Sequence, residues 1–314
     1  MVTAKEVAQA KERIGAYIYE TPIIRLHNLD EILGCEVYVK PENMQKTHSF
    51  KLRGALNKIL TLKKEQLEKG IVAVSSGNHG IGVAYAARAA GAKATIVLTD
   101  TAPEIKINAI KELGAEVLLC ELNSRQALAQ SLVDEHGYTF VPPYDDEAII
   151  AGQGTCGIEI VRQLPEVDVI LTPVSGGGLV SGVAIGAKSE KPTVRVVGAE
   201  PAVVCRYSKS LEAGEPVSLP KAASLADALL VTQPGKLNLP LVKQYVDQMV
   251  ATSEAFIAKA VRLLLEEGKI VAEPGSCVPI GAVLEGNIRF QPHEKVCFLL
   301  SGGNAELDFL TTLR

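Results

Sequence analysis

The chain has 314 residues, 47% of them hydrophobic and 22% charged, with a formal net charge of -4. This length and composition suit a folded protein of two lobes with a sizeable core. The near-neutral balance lacks the basic field that nucleic acid requires and any run of like charge suited to a membrane surface, leaving a small-molecule partner, no nucleic acid and no membrane.

In chain order, the amino terminus MVTAKEVAQAKERIGAYI reads as an amphipathic helix without the apolar centre of a signal peptide, so the cytoplasm is the expected compartment. Nine short β-branched runs follow: EVYVK, IVAVS, ATIVLT, EVLLC, YTFVP, VDVILTPV, TVRVVGAE, VDQMVAT and KVCFLLS. Between most of them lie helical patterns such as the one opened by Pro103 and closed at Gly114, with an apolar side at helical spacing. The alternation predicts an α/β protein of mostly parallel, twisted sheets flanked by helices, with ligands outside the carboxyl ends of the strands. Pattern breaks at KKEQLEKG, before Ile71, and at VPPYDDEA, from Val141 to Ala148, mark lobe boundaries. The uncharged stretch Val169 to Ala187 is interrupted by Pro173 and three consecutive glycines, so it reads as strand, loop and helix rather than a membrane span. Six scattered cysteines without C-x-x-C spacing read as buried small hydrophobes.

Three strand-to-helix turns are rich in glycine and hydroxyls: VSSGNHGIGVAYAA, TPVSGGGLVSG and LLSGGNAELD. Such turns offer backbone N–H groups at a positive helix terminus, which suits carboxylate or phosphate, although any one of them serves equally as a tight connection. Neither common nucleotide-binding fingerprint fits. In KTHSFKLRGA, Lys51 follows an uncharged Ser-Phe pair and a second cation follows at Arg53. A lysine at a helix start is ordinarily a solvated group. Together with two anion cradles in an α/β chain, it points to pyridoxal 5'-phosphate, whose aldehyde joins a lysine and whose phosphate needs a nest.

Six motifs in order, SFKLRGA, SSGNHG, AGQGT, PVSGGGL, EPGS and SGGN, resemble the serine/threonine dehydratase and serine racemase family of fold-type II pyridoxal phosphate enzymes. The resemblance implies a two-lobed, tryptophan synthase β-like fold: residues 1–68 and 146–314 form a large cofactor-binding domain and residues 69–145 a small mobile one, in a homodimer. It implies that Lys51 is the Schiff-base lysine and the base at the substrate Cα. Ser175, Gly176, Gly177, Gly178 and Leu179 match the phosphate loop, with Ser175 where the family usually has glycine. Ser75, Ser76, Asn78 and His79 match the loop that holds the substrate carboxylate, Asn78 also approaching the cofactor ring, and Ser301 matches the serine on the pyridine nitrogen. Glu273 fits a group near the ring, or simply a helix-start acid.

The implied reaction is β-elimination of L-threonine, L-serine or a related β-hydroxy amino acid to a 2-oxo acid and ammonia. Ser76 resembles the second base of the racemases, and Arg125 an arginine that moves toward substrate, so racemisation is the alternative. Tyr144 is closer to the dehydratase pattern, and Val231 replaces a substrate-contacting serine. Glu200 and the Val204 carbonyl match two ligands of the family's divalent-cation site, but Arg206 stands at the third, so no metal is expected and Arg206 is expected to pair with Glu200. A cysteine-synthase-like transferase is less favoured because Leu52 follows Lys51. A nucleotide- or anion-binding protein without lysine chemistry is the most different alternative. Asp145 and Asp146 read as lobe-boundary surface.

Overall fold

The computed structural model describes residues 1–75, 77–102 and 104–305. All nine β-branched runs become strands, and one further two-residue strand precedes them. The strands are β1 (Ile24–Arg25), β2 (Glu36–Pro41), β3 (Ile71–Val74), β4 (Ala94–Thr99), β5 (Glu116–Cys120), β6 (Thr139–Phe140), β7 (Val169–Pro173), β8 (Arg195–Pro201), β9 (Gln248–Thr252) and β10 (Lys295–Leu300).

Among the described residues they make two sheets. One has the order β1-β2-β10-β7-β8-β9, parallel except for β1 against β2; the other has the order β5-β4-β3-β6, parallel throughout. β10 shows why its sequence is apolar at nearly every position. Val296, Phe298 and Leu300 pack on one face with Val278 and Ile280, while Cys297 and Leu299 pack on the other with Val180 and Val183. A strand covered on both sides needs no polar alternation. In the same layers, the helices Glu147–Gln163 and Gly178–Glu190 meet backbone to backbone, since a Cβ on Gly154, Gly182 or Gly186 would fall on main-chain atoms of the facing helix. This is what the small residues after Pro173 are for. No helix among the described residues is long and apolar enough to cross a membrane. The six cysteines are free, four of them buried, and burial pushes the Cys35 thiol up to about 12.

A cluster of buried charges lies beside the larger sheet. Lys40 at the end of β2, Glu42, Arg53 and Glu159 are all fully buried. Arg53 Nε and Nη2 donate to the two Glu42 oxygens at 2.8 Å, Nη1 donates to Glu159 at 2.7 Å and to Thr155 at 3.0 Å, and Nη2 also donates to Glu159 at 2.8 Å. All five guanidinium hydrogens are thereby used. Lys40 donates to Glu159 at 2.8 Å and to the Thr21 carbonyl at 2.6 Å. Arg53 is two residues past Lys51 in the helix Lys51–Leu60, whose other side, through Leu52, Leu56 and Ile59, joins the core beneath the smaller sheet.

Candidate active site

The site forms at the carboxyl ends of β3, β7 and β10. After β7 the chain turns through Ser175, Gly176 and Gly177 into the helix Gly178–Glu190. Gly177 has φ +98°, and a side chain there would strike the Tyr207 hydroxyl. That hydroxyl is fixed beneath the turn, donating to the Gly176 carbonyl at 2.8 Å and accepting from the Gly235 amide at 3.3 Å. The Tyr144 ring occupies the space that a Cβ on Gly176 would need. The loop is therefore shaped by two aromatic side chains, and glycine is what lets them in. Among the described residues no backbone carbonyl accepts from the amides of Ser175, Gly176 or Gly177, and Ser175 Oγ is buried without a partner. Free amides at the start of a 13-residue helix, with an orphaned hydroxyl, suit a phosphate.

Lys51 opens the helix Lys51–Leu60. Its amine donates to the Pro143 carbonyl at 2.6 Å and lies 5.1 Å from the centre of the Phe50 ring. Part of the side chain stays accessible, yet burial around the amine lowers its pKa to about 8, against the opposing pull of Glu273. Lys51 is thus no solvated surface lysine. A neutral amine is the nucleophilic form, so uptake of pyridoxal phosphate by the cofactor-free protein is expected to accelerate as pH rises through about 8, not through the ordinary 10.5. Stopped-flow absorbance across pH 6.5 to 9.5 checks it, roughly bracketing that midpoint.

After β3, Ser75 Oγ accepts from the Gly77 amide at 3.2 Å and the helix Asn78–Ala89 begins. Asn78 is held at both ends: Nδ2 donates to the Glu273 oxygens at 2.9 and 3.1 Å, and Oδ1 accepts from Asn304 at 2.8 Å. Asn304 also donates to the Thr47 carbonyl at 2.9 Å. Burial raises the Glu273 pKa to about 7, with the Asn78 hydrogen bond opposing. His79 is buried, its Nε2 facing the Val141 carbonyl at 2.9 Å; burial and then the Lys51 charge hold its pKa at about 3, so it is neutral and donates to that carbonyl.

A cavity of about 450 Å³ connects these groups, a size ordinary for cofactor and small-ligand sites. Every site residue expected from the sequence and described by the structure lines it, Arg125 included. Ser76 lies outside the described residues. Arg125 is half-buried, with Nε donating to the Leu122 carbonyl at 3.1 Å. Tyr144, Val231 and Glu273 also line the cavity. The sequence reading missed Lys106, Asp227 and Asn304 on its wall, and Tyr207 behind it. Asn304 stands in the SGGN motif and could have been named from it. Lys106 sits in an ordinary amphipathic helix and gave no signal.

Arg206 is fully buried below the loop. Its Nε donates to the Val204 carbonyl at 2.7 Å and lies 3.6 Å from Glu200 Oε1. Its other nitrogens donate to the carbonyls of Val174 at 3.2 Å and Leu229 at 2.8 Å, tying the end of β7 to the segment around Asp227. Asp145 and Asp146 are not idle surface. Asp145 accepts from the amides of Lys236 and Leu237, and Asp146 caps the helix Glu147–Gln163 and pairs with Lys58 at 2.6 Å.

The cavity has the donors a pyridoxal phosphate molecule asks for: an amine of lowered pKa, an amide nest with an orphaned hydroxyl, and a serine at the end of a neighbouring strand. The comparisons with known proteins agree. The L-threonine ammonia-lyase of Thermotoga maritima is 41% identical over 312 residues, covering 99% of this chain and 77% of that protein. The serine racemase of Dictyostelium discoideum is 38% identical over 317 residues, covering 99% and 98%. The crystal structure of a threonine deaminase from T.th. superposes with a TM-score of 0.91 at 38% identity, covering 97% of this chain and 99% of that one. The family described as pyridoxal-phosphate dependent enzyme matches residues 14–302; by that span and by its fold, the chain belongs to the fold-type II branch of that family.

Proposed function

We propose that the protein is an ammonia-lyase that converts L-threonine, L-serine or a related β-hydroxy amino acid to a 2-oxo acid and ammonia. The observation that carries this reading is the Lys51 amine, with its pKa lowered to about 8, in one cavity with the glycine loop and Ser301. The similarity to proteins named threonine ammonia-lyase and threonine deaminase supports it.

Bound pyridoxal phosphate supplies a conjugated ring that stabilises negative charge at the substrate Cα. In this reading Ser175 and the amides of Gly176 to Leu179 hold the phosphate, and Ser301 faces the ring nitrogen. A serine does not fix a proton on that nitrogen as a carboxylate would, which favours quick loss of a β-hydroxyl over long-lived carbanions. Lys51 takes the Cα proton, its amine kept near neutrality by burial. Ser75, Asn78 and His79 orient the substrate carboxylate at the start of the helix Asn78–Ala89; His79 is neutral there and adds no charge. Arg125 approaches from the rim. The segment 69–145 closes over substrate as a mobile domain, the protein acts as a homodimer in the cytoplasm, and Arg206 takes the place of a divalent cation.

The second reading is amino-acid racemisation with Lys51 and Ser76 as bases on opposite faces. It is favoured by the similarity to proteins named serine racemase and by the hydroxyl at position 76. Incubation with L-serine and L-threonine in deuterated water separates the two. The lyase reading expects 2-oxo acid and no D-enantiomer, with Ser76→Ala retaining oxo-acid formation. Deuterated D-serine that disappears in Ser76→Ala assigns the racemase, and neither product refutes both.

A further inference from the structure

Ser276, in the first turn of the helix Pro274–Leu284, is fully buried and lies outside the machinery described so far. Its Oγ donates to the Gly302 carbonyl at 2.8 Å, accepts from the Gly302 amide at 2.9 Å and lies 3.1 Å from Ser301 Oγ. One side-chain oxygen thus clasps both polar groups of the residue after Ser301. The same turn holds the lysine segment, because the Phe50 amide donates to the Ser301 carbonyl at 3.0 Å and the Gly303 amide to the His48 carbonyl at 2.9 Å.

A hydroxyl has one hydrogen to give and two lone pairs to receive with. With its hydrogen on the Gly302 carbonyl and one lone pair on the Gly302 amide, Ser276 has a single vacancy left, which accepts the Ser301 hydrogen. Ser301 then turns only an acceptor to the cavity. The Gly302 carbonyl has a second donor, the Glu273 amide at 3.0 Å. Ser276 can therefore swing its hydrogen to Ser301 without leaving that carbonyl bare, and Ser301 then turns its own hydrogen to the cavity. A hydroxyl that receives one hydrogen bond gives a stronger one, because the chain polarises along its length.

We propose that Ser276 is a positioning residue that backs Ser301, so that Ser301 acts as hydrogen-bond donor to the ring nitrogen of bound pyridoxal phosphate. The proposal rests on the reading that Ser301 meets that nitrogen. The relay runs from Ser276 to Ser301 to the ring and lets a neutral serine donate without a charged partner. Glu273 is near but does not replace Ser276, since among the described residues its carboxylate accepts side-chain hydrogen bonds from Asn78 alone.

The test is the isotope-shifted resonance of the ring nitrogen in holoenzyme loaded with ring-nitrogen-labelled pyridoxal phosphate, read in wild type, Ser276→Ala, Ser276→Thr, Ser301→Ala and the double alanine variant. Ser301→Ala is expected to move the resonance toward that of an unprotonated pyridine without a hydrogen bond. Ser276→Ala should move it the same way by a smaller amount, Ser276→Thr should restore the wild-type position, and Ser276→Ala should add nothing once Ser301 is alanine. A Ser276→Ala resonance at the wild-type position, a further shift in the double variant, or a Ser276→Thr resonance at the alanine position overturns the role of Ser276 and leaves Ser301 in place. No movement in Ser301→Ala overturns the ring-nitrogen assignment itself, and the proposal with it. If Ser276→Ala does not fold, Ser276→Cys, whose thiol fills the same space but is a weak donor and acceptor, is read in its place, with the same smaller shift expected and an unmoved resonance overturning the role of Ser276.

Discussion

Lys51→Ala is expected to lower 2-oxo acid formation from L-threonine by about 10⁴-fold, the upper end of what a positioned general base contributes. The thermal midpoint is expected to stay close to wild type. The Lys51 side chain has few attachments, a hydrogen bond to the Pro143 carbonyl and the Phe50 ring, and burial disfavours its charge. Removing it gives up little packing and relieves an amine of its poor solvation. Lys51→Arg is expected to be equally inactive, because a guanidinium stays protonated and cannot serve as nucleophile or base near neutral pH. Ammonia release by either variant near the wild-type rate would refute the assigned chemistry, whereas a collapsed midpoint would place Lys51 among the structural residues.

The second large effect belongs to Arg53. Arg53→Met strips five hydrogen bonds from Glu42, Glu159 and Thr155, leaving the buried carboxylates with Lys40 at 2.8 Å and the half-buried Lys11 at 3.4 Å, both on Glu159. Breaking a buried ion cluster on one side costs about 3–5 kcal/mol, here a fall in thermal midpoint on the order of 10 °C. Arg53→Lys should rescue little, because one ammonium cannot replace the fork that spans two carboxylates. The double variant Arg53→Met/Glu159→Gln should recover part of the loss by removing a stranded charge. A midpoint within 2 °C of wild type for Arg53→Met, roughly the effect of 1 kcal/mol, would show the cluster to be dispensable.

The cluster also sets a pH signature. Burial pushes the Glu159 carboxyl up, but Arg53 and Lys40 override it and hold the pKa at about 2, below its ordinary 4.5. A depressed carboxyl stabilises the fold above its unfolded value, so this contribution is complete above about pH 4.5 and is lost as pH falls through about 2. The double variant should therefore lose less stability than wild type over that interval, as differential scanning calorimetry at stepped pH would read.

How much of this was written locally differs from one feature to the next. The parallel sheets were legible because each strand is short, β-branched and followed by a helical pattern, and the tight turn after β7 because its glycines make room for what packs against Gly176 and Gly177. β1 was not, since two residues carry no period. The role of Arg53 was hidden for another reason: its partner Glu159 is 106 positions away, on a helix buried from Ile149 to Val161, and no window of sequence joins the two. Ser276 was visible as part of a motif but silent as to purpose, because its meaning is a count of hydrogen bonds that exists only once Gly302 lies beside it. The surface reading of Asp145 and Asp146 left out what their carboxylates bind, because a helix cap and a side chain in water look alike in sequence.

The helix that carries Lys51 has a bearing on how such a protein can change over generations. From Leu52 to Asn57 every residue is buried: Leu52 and Leu56 against the smaller sheet, Arg53 in the charge cluster, Gly54 against Gly152. Nearly any heritable change beside the lysine is thus a change to the fold and is exposed to purifying selection on stability. New substrate preferences can arise with less risk around Val231, on a loop at the cavity wall. Descendants of this scaffold are free to diverge at the rim while the lysine and its neighbours are inherited as a block.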